Sequence, residues 1–113
     1  MKARTTFAAL ATLLFVSGAA LAAPDAGMAD LSDLGRLNGQ ALACGQMQAV
    51  GEAKALMIKH APKTRRYGEV FEEATNSGFL AQGKAATCPS PAELAERMGR
   101  LATRLQATLP PAQ

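Results

Sequence analysis

A chain of 113 residues has room for one domain. Hydrophobic residues make up 49% and charged residues 19%, a globular balance rather than a disordered one. Aromatic residues are only 4% and Trp is absent, so the core must be aliphatic and small, and a net charge of +3 points to nucleic acid only until the charges are located.

The chain begins with Lys2 and Arg4, then an apolar run from Phe7 to Val16, then small residues ending in Ala20-Leu21-Ala22. A basic start, a short apolar stretch and an A-x-A end are the three parts of a secretory signal peptide, assigned to 1–22. The run is short of the roughly twenty residues that cross a bilayer, so the exported chain is expected not to span a membrane. Removing 1–22 leaves ten basic residues against nine acids, and the electrostatic case for nucleic acid disappears.

Residues 23–29 (APDAGMA) lack any period and are expected to be a flexible lead-in to a helical domain over 30–109. Asp30, Ser32 and Asp33 suit a helix start. From Leu31 to Ala61 there is no Pro, and Ala, Leu, Met, Gln and Lys favour one helix. Read as continuous, it puts Leu34, Leu37, Ala41, Cys44, Gly51, Ala55 and Ile58 on one stripe. Leu42, Ala49, Ala53, Leu56, Met57 and His60 fall opposite, with Val50 close by, so the helix is apolar on two sides. Asn38-Gly39 is the place where it would split. Pro62 ends it.

Thr64 is the next N-cap, opening a helix with Tyr67, Val70, Phe71 and Ala74 at helical spacing, which Asn76-Ser77-Gly78 is expected to end or kink. Ser90-Pro91-Ala92-Glu93 is a capping box with Pro at the first helical position. Leu94, Met98, Leu101 and Leu105 follow at i, i+4, i+7 and i+11, with Leu109 at the stripe's edge and Pro110-Pro111 opening a tail over 110–113. No strand-like alternation appears. The fold class is all-α, a three- to four-helix bundle with one cross-link.

Cys44 and Cys88 are the only cysteines, and an even count in a small exported domain reads as a disulfide. Closing that loop stabilises by about 4 kcal/mol on the chain-entropy estimate. The bond would pin the last helix to the middle of the first. No C-x-x-C supports redox catalysis. On a continuous helix Cys44 and His60 lie roughly 24 Å apart, so a Cys–His nucleophile pair needs that helix to break.

Two clusters are candidate sites. Lys59, Lys63, Arg65 and Arg66, beside His60, form a basic corner around a helix end and a helix start, suited to an anion or an acidic partner. Local pairing of Arg65 or Arg66 with Glu69 is the plain structural reading. Met57 and His60 share a helix face and raise copper, or haem iron with His/Met ligands, against the plainer reading of a core methionine and a helix-end histidine. No G-x-S-x-G, H-E-x-x-H, phosphate loop or dinucleotide fingerprint is present, and Glu69, Glu72, Glu73, Glu93 and Glu96 read as solvated helix faces.

The expected role is therefore non-enzymatic and without a cofactor. It is binding of a protein partner in the periplasm, as chaperone, inhibitor, immunity protein or accessory subunit, or pairing as a homodimer. The alternative is copper or haem handling through Met57 and His60. With one disulfide-ready pair, Cys44 and Cys88, in a helical exported chain, the architecture resembles that of small periplasmic acid-stress chaperones. They are helical and carry one disulfide at similar cysteine spacing, a likeness of architecture, while the protein-binding reading rests on the two-sided first helix and the basic corner.

Overall fold

The computed structural model describes residues 23–111, with side chains from Ala26 onward; the proposed signal peptide at 1–22 lies outside the described residues. The described residues form four helices: α1 (Ala23–Ala43), α2 (Met47–His60), α3 (Arg65–Gly83) and α4 (Pro91–Thr108). They run up, down, up and down. Gln46 Nε2 donates to the Pro89 carbonyl at one end, and His60 meets Leu109 at the other, so α2 and α4 run together, opposite to α1.

The first interruption falls at Gly45, not at Asn38-Gly39. Gly45 has φ +68°, the left-handed conformation that favours glycine. Its N–H donates to Leu42 O at 3.2 Å and the Gln46 N–H to Ala41 O at 2.9 Å, the paired bonds of a Schellman ending. The turn resets the helical phase. Leu31, Leu34 and Ala41 are buried on α1, but on α2 the buried residues are Ala49, Ala53 and His60, while Gly51, Ala55 and Ile58 face outward. The single stripe expected across both helices therefore does not exist. Cys44 sits in the turn, so its disulfide with Cys88 (S–S 2.11 Å) ties the start of α4 to the α1–α2 corner rather than to mid-helix.

The stretch 23–29, expected to be loose, is the first part of α1. Gly27 lies directly against the Leu109 side chain, where a β-carbon would sit 2.7 Å from Leu109 Cγ. Asp30 is not a cap. It is buried, accepts from Thr108 Oγ1 at 2.8 Å and approaches Arg104 Nε at 3.6 Å, joining α1 to α4.

The core is formed by α1, α2 and α4. Leu94, Leu101 and Leu105 are fully buried and Met98 is nearly so, meeting Leu31, Leu34 and the alanines of α2. Burial of each leucine is worth roughly 2 kcal/mol. The capping box at α4 is complete: Ser90 Oγ accepts from the Glu93 N–H at 3.1 Å, and Glu93 accepts from the Ser90 N–H at 3.2 Å.

Helix α3 is different, because among the four helices it packs only on α1. It runs parallel to α1: Asn38 Nδ2 donates to Thr75 Oγ1 at 3.2 Å and Gln40 Nε2 to Gln82 Oε1 at 2.8 Å. Gly35 on α1 faces Ala74 and the Phe71 carbonyl on α3, and Gly78 on α3 faces the Arg36 backbone on α1. The backbones come so close that a β-carbon on Gly39 would lie 2.6 Å from the Phe79 amide nitrogen and overlap the Thr75 carbonyl. Asn38-Gly39 and Asn76-Ser77-Gly78 therefore stay helical, because their small or hydrogen-bonding residues serve this contact.

Candidate functional site

Because α3 leans on α1 alone, a gap opens between α3 and α4 with α1 as its floor. The gap is a groove of about 910 Å³. Leu37 of α1 and Gly78, Ala81 and Ala85 on the α3 side line its apolar part. Its polar part is dominated by four arginines, Arg36 from α1 and Arg97, Arg100 and Arg104 from α4. On α4 these recur at i, i+3 and i+7, beside the buried Leu94–Leu105 stripe, so the amphipathic pattern that buries one side of α4 aims the arginines into the gap.

The arginines are held in graded ways. Arg36 pairs with Asp33 at 2.6 Å, and Arg104 reaches both Asp33 (3.5 Å) and Asp30 (3.6 Å). Arg100 pairs with Glu96 of its own helix at 2.7 Å. Arg97 donates to the neutral Gln40 Oε1 at 3.3 Å and makes no ion pair among the described residues. The Arg36, Arg100 and Arg104 side chains remain more than half exposed. Exposed pairs of this kind are worth at most about 1 kcal/mol, so an incoming carboxylate competes for these guanidiniums at little cost. Gln82 closes one end: it accepts from Gln40 and donates to the Thr87 carbonyl at 2.8 Å, beside Cys88 Sγ.

The basic corner foreseen in the sequence lies elsewhere. Lys63 Nζ donates to the Ile58 carbonyl at 2.7 Å, covering the end of α2. Arg65 pairs with Glu69 at 3.4 Å, with side chains 90% and 65% exposed, so the plain local reading holds for that residue. Lys59 and Arg66 are exposed and make no ion pair among the described residues.

His60 is buried, and its Nδ1–H donates to the Leu109 carbonyl at 2.7 Å, which fastens the end of α2 to the end of α4. Met57 packs half-buried against the core. Among the described residues no three or more His, Cys, Asp or Glu are grouped so that they could hold a metal ion. Although the helix does break after Cys44, α2 carries His60 to the far end of the bundle, and Cys44 is bonded to Cys88.

The groove was not foreseen. Its one local sign is the Arg97-Arg100-Arg104 spacing, but the other wall depends on the glycine contact between α1 and α3, which no local period encodes. Compared with known proteins, the chain matches no family model, no curated protein and no solved structure at a significant level.

Proposed function

We propose that this chain is an exported, disulfide-stapled binding module that works without catalysis, its α1/α3/α4 groove taking an acidic helical segment of a protein partner in the periplasm. The observation that carries the reading is four arginines set around an apolar floor in a gap of about 910 Å³. Two turns of helix, about 11 Å long and 10 Å across, occupy roughly 860 Å³. A partner helix with small apolar residues on one side and carboxylates along its edges satisfies both parts of the groove, and Arg guanidinium suits bidentate carboxylate recognition. Export is supported by the basic, apolar and A-x-A pattern at 1–22, and a formed disulfide is compatible with an oxidising compartment.

Calorimetric titration with acidic amphipathic peptides tests the reading, using the same peptides with Lys in place of Glu as controls. Arg97→Glu/Arg100→Glu lowers affinity for the acidic peptide at least tenfold, about 1.4 kcal/mol, without unfolding the domain. Equal binding of both peptide sets, or of both protein forms, refutes the assignment.

A further inference from the structure

Helix α2 carries a second open surface, which the groove reading does not involve. Met47, Gly51, Lys54 and Ile58 share a stripe roughly 60° wide at 100° per residue, and all four face away from the core. Met47 and Ile58 are each 63% exposed, more than Leu42, Phe79 or Leu80, the other large apolar side chains open to solvent among the described residues. Lysines surround the distal one: Lys54 a turn before Ile58, Lys59 beside it, and Lys63 folded back so that its ammonium bonds the Ile58 carbonyl at 2.7 Å. Arg65 and Arg66 follow at the start of α3. Two acids lie nearby: Glu69 is engaged by Arg65, and Glu52 is half-buried on α2.

We infer that this α2 face, with the basic corner at its end, docks on an anionic lipid surface. The choice of cation separates it from the groove. There the cations are all arginine, with Asp33 the one carboxylate of the lining, and arginine suits carboxylates fixed in place by a folded partner. Here the cations next to Ile58 are Lys54, Lys59 and Lys63, with Arg65 and Arg66 beyond them, and the lysines are point charges on flexible stems that follow a diffuse field of headgroups while the stems lie along apolar surface. Isolated aliphatic side chains protruding from a convex helix need no matching recess when the acceptor is the fluid boundary of acyl chains and headgroups. No α2 residue lines the groove, so docking through α2 leaves it open to a soluble partner.

The test is co-sedimentation with vesicles of phosphatidylcholine alone and of phosphatidylcholine with phosphatidylglycerol. Parent and variants are purified in one and the same form, so that any contribution of 1–22 is common to all. The parent partitions onto the anionic vesicles, and binding falls with added salt. Each of Lys54→Gln, Lys59→Gln and Lys63→Gln weakens it about fivefold, and Ile58→Ser weakens it on the order of tenfold in a way that salt does not alter. Thermal midpoints close to the parent's confirm that these exposed changes leave the fold intact. Equal binding to the two vesicle types, variants that partition like the parent, or Lys-dependent binding to an acidic soluble protein without vesicle binding would each overturn the proposal.

Discussion

Gly39→Ala sets two rules against each other. In an isolated helix, Gly→Ala stabilises by about 1 kcal/mol. At Gly39 the new methyl would lie 2.6 Å from the Phe79 amide nitrogen and overlap the Thr75 carbonyl, both backbone atoms that cannot rotate aside. Comfortable contact begins near 3.5 Å, so α3 must retreat by about 1 Å to clear the Phe79 nitrogen and farther to clear the Thr75 carbonyl, which forfeits about half or more of the attraction across the contact. Overpacking of this kind costs about 1–3 kcal/mol. Because α3 packs on no other helix, nothing compensates for the lost contact. The net expectation is a loss of about 1.5 kcal/mol, a fall in melting temperature of about 6–12 °C. Gly51→Ala and Gly99→Ala are internal controls, since a β-carbon there meets nothing within 4 Å; each should raise the midpoint by about 4 °C. Circular dichroism melts of the three variants suffice. A Gly39→Ala midpoint that rises with the controls would sink the account of α3.

Three other changes probe separate parts of the fold. Cys44→Ser/Cys88→Ser opens a loop with a sequence separation of 44 and lowers stability by about 4 kcal/mol in urea titration; a loss under about 1 kcal/mol contradicts the stapling role. Ser90→Ala removes the acceptor for the Glu93 N–H and costs about 1 kcal/mol, read as a lower melting temperature, whereas an unchanged midpoint means the box contributes nothing. Leu101→Ala empties a fully buried position and costs about 3 kcal/mol by the same titration, and a near-neutral result would show a core loose enough to collapse around it.

Much of the fold was legible because it is encoded locally. The capping box, the Leu94-Met98-Leu101-Leu105 spacing and Pro110-Pro111 define α4 without reference to any other segment, and a lone cysteine pair has one intramolecular partner choice. The misreadings share a cause. Read locally, a glycine counts only for what it does to its own helix, which makes Asn38-Gly39 the weak point and Asn76-Ser77-Gly78 a stop. In the fold those residues answer to a neighbour far along the chain: Asn38 to Thr75, Gly39 to Phe79, Gly78 to Arg36. Among the described residues Gly45 is the glycine at positive φ, and it restarts the phase of α2. The groove followed the same fate, because one of its walls exists only through that distant pairing.

The covalent ring closed by Cys44 and Cys88 encloses α2 and α3 and leaves α1 and α4 outside it. If α3 comes away from α1, it remains a strap held at both feet, by the end of α2 fastened through His60 and Leu109 on one side and the sulfur bridge on the other. Tethering of that kind keeps its effective concentration near α1 in the millimolar range or above. Re-docking is then a first-order event that dilution does not slow. The bundle can thus tolerate a helix with a single neighbour, and widening of the cleft beside α4 is recoverable rather than a step toward unfolding.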